Sequence, residues 1–90
     1  MWFILVRALV LLNVTTGNES LIVQELRKLG DVISDTFITF GDYDIACIIT
    51  ANTPRELGQL VTGRVRHING VQRTVTLIEA VENKKNGNHH

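Results

Sequence analysis

Residues 32–51 read VISDTFITFGDYDIACIITA, two runs of β-branched and aromatic residues parted by Gly41-Asp42. Such runs favour extended backbone, and a Gly-X pair between them suits a two-residue type II′ hairpin turn, whose first central position has positive φ. The stretch predicts a strand over 32–40, a turn at Gly41-Asp42 and a strand over 43–51. That register sets Phe40 opposite Tyr43, Ile38 opposite Ile45 and Thr36 opposite Cys47. One face then carries Val32, Ile38, Phe40, Tyr43, Ile45, Cys47 and Ile49, and its apolar character makes it the core side. The other face carries Ile33, Asp35, Phe37, Thr39, Asp44, Ala46, Ile48 and Thr50.

Upstream of this hairpin, residues 2–14 alternate between two faces that are both apolar, as in a strand buried on both sides. Residues 17–29 follow with a helical stripe of Ile22, Leu26 and Leu29. Thr16 and Glu19 have the spacing of a capping box, and Gly30 suits a left-handed helix end. Downstream, Thr53-Pro54-Arg55-Glu56 combines an N-cap hydroxyl, proline at the first helical position and glutamate at the third. Leu57, Leu60, Val61, Val65 and Ile68 form the stripe of this second helix. Gly58 and Gly63 within it cost about 1 kcal/mol each relative to alanine and mark either a close approach or simple tolerance. After Asn69-Gly70, a last strand is predicted over 71–82. Val71, Val75, Leu77 and Val81 share one of its faces with Arg73 and Glu79, and Gln72, Thr74, Thr76, Ile78 and Ala80 share the other.

Strand–helix–strand–strand–helix–strand with right-handed crossovers predicts a ferredoxin-like α+β two-layer sandwich, its antiparallel sheet in the order 4-1-3-2. The first and third strands, the most continuously apolar, become central. Both helices fall on one face of the sheet. The other face is left with one side of the first strand and with Ile33, Phe37, Ala46, Ile48, Ile78 and Ala80, more apolar surface than a monomer ordinarily exposes. A second copy packed sheet against sheet about a twofold axis would cover it.

Ninety residues make one domain, here residues 1–82, followed by the polar tail NKKNGNHH (83–90), whose closing His89 and His90 are either native or the remnant of a tag. Nine basic and nine acidic residues balance to zero, which argues against a nucleic-acid surface and removes charge repulsion between copies. The single cysteine, Cys47, excludes an internal disulfide and sits in an apolar run, so a reduced, buried thiol is expected. The apolar residues 1–12 are broken by Arg7, lack the layout of a signal peptide and are too short to span a bilayer. The expectation is a cytoplasmic protein, off the membrane, in which Asn13-Val14-Thr15 and Asn18-Glu19-Ser20 match the glycosylation pattern by chance.

Catalytic constellations are scarce. His67 is the only histidine outside the tail and falls at a helix end, where a cation suits the dipole. No zinc, redox or phosphate-loop motif is present, and no metal or cofactor is expected. Asp31, Asp35, Asp42 and Asp44 lie within fourteen residues, and aspartate is common at turns. Asp44 differs from the rest in standing just inside the third strand on the half-polar face. A carboxylate there can accept an ammonium, and turn amides can bind a carboxylate, the two halves of an amino acid's zwitterionic head. Thr39, Thr74 and Thr76 are placed to add hydroxyls from that same face.

The apolar first strand, Gly41-Asp42-Tyr43-Asp44 before an apolar strand, and Ile68-Asn69-Gly70-Val71 leading into Thr74-Val75-Thr76 together resemble the effector-binding domain of the Lrp/AsnC transcription regulators. The resemblance runs over residues 7–81. It implies a non-enzymatic module that dimerises through its sheets, dimers that assemble into octameric or decameric rings, and an amino acid bound between dimers near the turn. The residues implied by position are Gly41, Tyr43, Asp44, Thr74 and Thr76, and with Thr39 from the half-polar face and Asp42 of the turn they make the expected ligand-binding set. Full-length regulators of the same family are implied partners, and direct DNA binding is not. Because the first strand begins at residue 2, the expected form is the stand-alone module without a helix-turn-helix domain in front. Phe40 departs from the small polar residue often found before the turn glycine, which points to a smaller, more apolar or closed pocket. Two other readings share this architecture. A dimeric α+β barrel oxygenase or isomerase needs a His, Asn or Trp cluster between helices and sheet, for which only His67 and Trp2 are at hand. An amino-acid-binding ACT module lacks the G-x-Y-D turn.

Overall fold

The runs on either side of Gly41 pair as an antiparallel hairpin, β2 (Ile33–Ile38) with β3 (Ile45–Ala51), with Ile38 opposite Ile45 and Thr36 opposite Cys47 as expected. The computed structural model describes residues 5–80. The expected strand residues 2–4, the end of the last strand at Val81 and Glu82, and the tail lie outside the described residues. The remaining elements are β1 (Val6–Val14), α1 (Glu19–Arg27), α2 (Pro54–Gly63) and β4 (Val71–Ile78), with 3-10 turns at Gly30–Val32 and Val65–His67. The sheet order β2-β3-β1-β4 is the expected ferredoxin-like one, with every neighbouring pair antiparallel.

Between helices and sheet lies an apolar core. Ala8, Val10, Leu12 and Val14 of β1 and Ile45, Cys47 and Ile49 of β3 meet Ile22, Val23 and Leu26 of α1 and Leu57, Val61 and Val65 from α2 and the turn after it. No buried polar or charged residue is found among the described residues. Val23 joins the α1 stripe beside the expected Ile22 and Leu26, and Leu29 packs against its margin.

The helix starts follow local chemistry. Thr53 Oγ1 accepts the Glu56 amide at 3.0 Å, the expected N-cap. The other expected capping box, Thr16 with Glu19, does not form. Gly17 takes φ of 95°, which no helix can continue, so α1 begins two residues later, at Glu19 with Asn18 as N-cap, and Glu19 Oε1 accepts from the Gly17 amide. At Gly70, φ is 102°, which favours glycine, and a Cβ there would lie 3.1 Å from Ile22 Cδ1 and displace that side chain. Gly58 and Gly63 face open space and mark no close approach within the chain.

Three expectations about faces are corrected. The hairpin turn is longer than two residues. The strands stop at Ile38 and Ile45, and residues 39–44 form a loop closed by the Thr39 amide on the Asp44 carbonyl at 2.9 Å, which leaves Phe40 fully exposed instead of in the core. On β2, residues Ile33 and Asp35 meet adjacent β3 residues, Ile49 and Ile48, so Ser34 is an extra residue and Ile33 turns to the core side. On β4, Val71 and Arg73 meet Val14 and Asn13, so Gln72 is likewise extra. Beyond that bulge Thr74, Thr76 and Ile78 oppose Leu12, Val10 and Ala8 on the helix side, while Val75 and Leu77 oppose Leu11 and Leu9 on the open side. The side-chain period of two reverses at each bulge, and no residue type announces one.

The 39–44 loop is sewn to the end of β1. The Asp44 amide donates to the Leu12 carbonyl and Asp44 Oδ2 accepts the Val14 amide, both at 2.8 Å. Asn13 Nδ2 donates to the Asp42 carbonyl and Thr39 Oγ1 to the Tyr43 carbonyl, also at 2.8 Å. A hydrogen bond to a charged acceptor contributes about 1.5–3 kcal/mol. Asp44→Ala is therefore expected to lower unfolding free energy by about that amount in urea denaturation, with Asp44→Asn, which keeps a neutral acceptor, recovering about half of it. Gly58→Ala is expected to raise it by about 1 kcal/mol, because the new methyl meets nothing and the helix gains propensity.

Candidate functional site

Five of the seven expected ligand residues stand together on the loop between β2 and β3. Gly41 has φ of 120° and is exposed with Asp42, whereas Thr39, Tyr43 and Asp44 are half-buried. Much of their polar capacity is already engaged. The Thr39 hydroxyl donates within the loop, and one Asp44 oxygen is held by the Val14 amide. The Asp42 carbonyl is taken by Asn13, leaving its carboxylate on the exposed tip. Thr74 and Thr76 are not brought to this loop within one chain, because β1 intervenes and both face the helix side. Asn13 belongs with the loop and was not among the residues expected there. Its trace in the sequence is an amide near the end of an otherwise apolar strand.

The open face of the sheet is apolar, with the membership revised by the bulges. Leu9 and Leu11 of β1, Phe37 of β2, Ala46 and Ile48 of β3, and Val75 and Leu77 of β4 share it. Phe37 and Leu77 remain 50% and 51% exposed and Leu9 37%. At the end of this face away from the loop, the Arg7 guanidinium grips Glu79 through two bonds of 3.1 and 2.8 Å. The hydrogen bond from Arg7 holds the Glu79 carboxyl below its usual range. Both side chains are largely solvated, so the pair orients more than it stabilises. It borders a shallow depression of about 190 Å³ floored by Leu9, Ile48 and Leu77. A second, wider groove of about 490 Å³ lies between α1 and the free edge of β2, lined by Val23, Gln24, Arg27, Thr36 and Ile38 among others.

Other candidates for chemistry lie apart. His67 is exposed in the 3-10 turn after α2. Cys47 is fully buried, and burial pushes its thiol up to about 11. Among the described residues no cluster of three His, Cys, Asp or Glu is placed to hold a metal ion, and no helix is long and apolar enough to cross a membrane. The space between helices and sheet, where a barrel enzyme keeps its polar residues, is filled by apolar side chains, and Trp2 lies outside the described residues.

No protein-family model and no curated protein matches the sequence. Solved structures do match the fold. Hypothetical protein PHS023 from Pyrococcus horikoshii is 25% identical with a TM-score of 0.77, the match covering 94% of this chain and 98% of that one. E. coli AsnC is 18% identical with a TM-score of 0.78 over 87% of this chain and 52% of AsnC, so this chain spans about half of AsnC's length. The transcriptional regulator NMB0573 from Neisseria meningitidis, in complex with L-Met, is 12% identical with a TM-score of 0.72 over 89% of this chain and 52% of that one. The structural neighbours are Lrp/AsnC family proteins, and the chain has the fold of an Lrp/AsnC-type effector-binding domain.

Proposed function

We propose that this chain is a non-enzymatic ligand-sensing regulatory module. In this reading it dimerises through the open faces of its sheets, its dimers assemble into a ring, and an amino acid binds between dimers at the 39–44 loop. The observation that carries the reading is that loop: a pre-organised turn with exposed Gly41 and Asp42, on a fold shared with a regulator holding L-Met. Turn amides offer donors to an α-carboxylate, and Asp42 and the free oxygen of Asp44 offer acceptors to an α-ammonium. Thr74 and Thr76, on the helix side of β4, would enter such a site only from a neighbouring copy. Transcription regulators of the same fold are the partners whose assembly the module would modulate.

The apolar open face supports the dimer. Helices cover only one side of the sheet, and the half-exposed Leu9, Phe37 and Leu77 with Ile48 and Val75 on the other form a continuous apolar surface suited to a second copy. Ligand energy then acts through the difference in affinity between assembly states.

Thermal denaturation with a panel of amino acids tests the sensor. At a hundred times the dissociation constant, a ligand confined to the folded state adds about 2.7 kcal/mol, on the order of ten degrees or more in a domain of this size. At least one amino acid is expected to raise Tm, and Asp44→Asn to abolish that rise while leaving the unliganded Tm within a few degrees. A panel in which no amino acid shifts Tm or mass refutes the reading. In sedimentation, Leu77→Asp is expected to convert dimers to monomers, since it places an unpaired charge within the apolar contact.

A further inference from the structure

We propose that Phe40 is the anchor by which one copy of this chain docks on another, its ring seated in the groove between α1 and the β2 edge of that second copy. The proposal deepens the ring reading by naming the contact beyond the dimer. Phe40 is the most exposed large apolar side chain among the described residues, fully in water at the tip of its loop. That loop is not a loose one, because five hydrogen bonds outside the strand ladder fix it to itself and to β1. A phenyl ring held rigidly in solvent loses little freedom on docking, which is the property of an interface anchor.

The groove complements it in size, polarity and charge. Its space of about 490 Å³ accepts a phenyl ring with its neighbours, and the apolar lining that a sheet-to-sheet dimer leaves free comes from Val23 and Ile38, the latter still 48% exposed. β2 is an edge strand, with no further strand beyond it among the described residues. Arg27 lines the groove in the last turn of α1 and has no ion-pair partner among the described residues, while the exposed Asp42 carboxylate stands two residues from Phe40. Seating Phe40 brings Asp42 of one copy toward Arg27 of the next, an opposite-charge pair at the rim of an apolar contact. Most of the docking surface is distinct from the open sheet face, so a dimer closed through its sheets still presents its loops and grooves to further dimers.

The test is native mass spectrometry and sedimentation velocity of the whole chain at tens of micromolar, with no amino acid added. The wild type is expected above the mass of a dimer. Phe40→Ser is expected to stop at the dimer with unchanged circular dichroism and Tm, since the side chain makes no contact within its own fold. Arg27→Glu is expected to do the same, and Arg27→Glu combined with Asp42→Lys to restore the larger species. A wild type that never exceeds a dimer, or a Phe40→Ser variant that keeps the wild-type mass, overturns the proposal. Because mass is read without ligand, failure of the amino-acid response leaves this result standing, and failure here leaves that response to be judged by its own melting curves.

Discussion

The carboxylate of Asp44 accepts the backbone amide of Val14, and the geometry of the whole loop end depends on that bond. β1 is the central strand that both β3 and β4 read as their template, and its ladder to β3 runs out at Leu12 and Ile45. Past that point the Val14 amide would have no partner on the β3 side. Asp44 supplies a side-chain acceptor in place of a backbone one, and its own amide takes the Leu12 carbonyl. Asn13 closes the seam from the other direction. The loop is thereby built outward from the sheet as a continuation of it, which is why its tip residues are held in place although they touch little else.

Seen in this light, Asp44 has two kinds of work available to it. One oxygen is committed to structure, and the second takes no hydrogen bond among the described residues. The charge therefore belongs to the fold as much as to any binding event, and the two contributions separate only in a variant that keeps the acceptor and drops the charge. The Arg7–Glu79 pair at the far end of the open face presents the reverse case. Its bonds are short, yet both groups are solvated, so its value lies in fixing where the apolar surface ends.

Much of this architecture was legible in the sequence. Gly41 set the pairing of β2 with β3 correctly because register is counted from the turn, and it survives a lengthening of the loop by two residues on each side. Thr53-Pro54-Arg55-Glu56 gave the start of α2 because each residue there has a local role, and the observed cap is made by the expected atoms. The order of strands followed from handedness, which is a property of the backbone and not of any residue. What failed were the outer strands. Ser34 and Gln72 each add a residue to an edge, and every side-chain assignment beyond them changes sides. Ile33 moved inward for this reason, and Thr74 and Thr76 went to the helix side. Phe40 was misplaced because an aromatic residue next to a turn reads as strand, and only the loop's hydrogen bonds show that the ladder has already ended.

Those two extra residues have a consequence for how the protein survives at high concentration. A chain with equal numbers of acidic and basic groups has no net repulsion to keep its copies apart, and a sheet with two free margins offers each of them as a template for strand addition. Ser34 and Gln72 interrupt the regular spacing of amides and carbonyls along both margins, so neither presents a long, flat row to a passing strand. Copies can still meet through side chains, as faces or as knobs and grooves, but end-to-end growth of a single continuous sheet, the route to fibres, is obstructed on both sides.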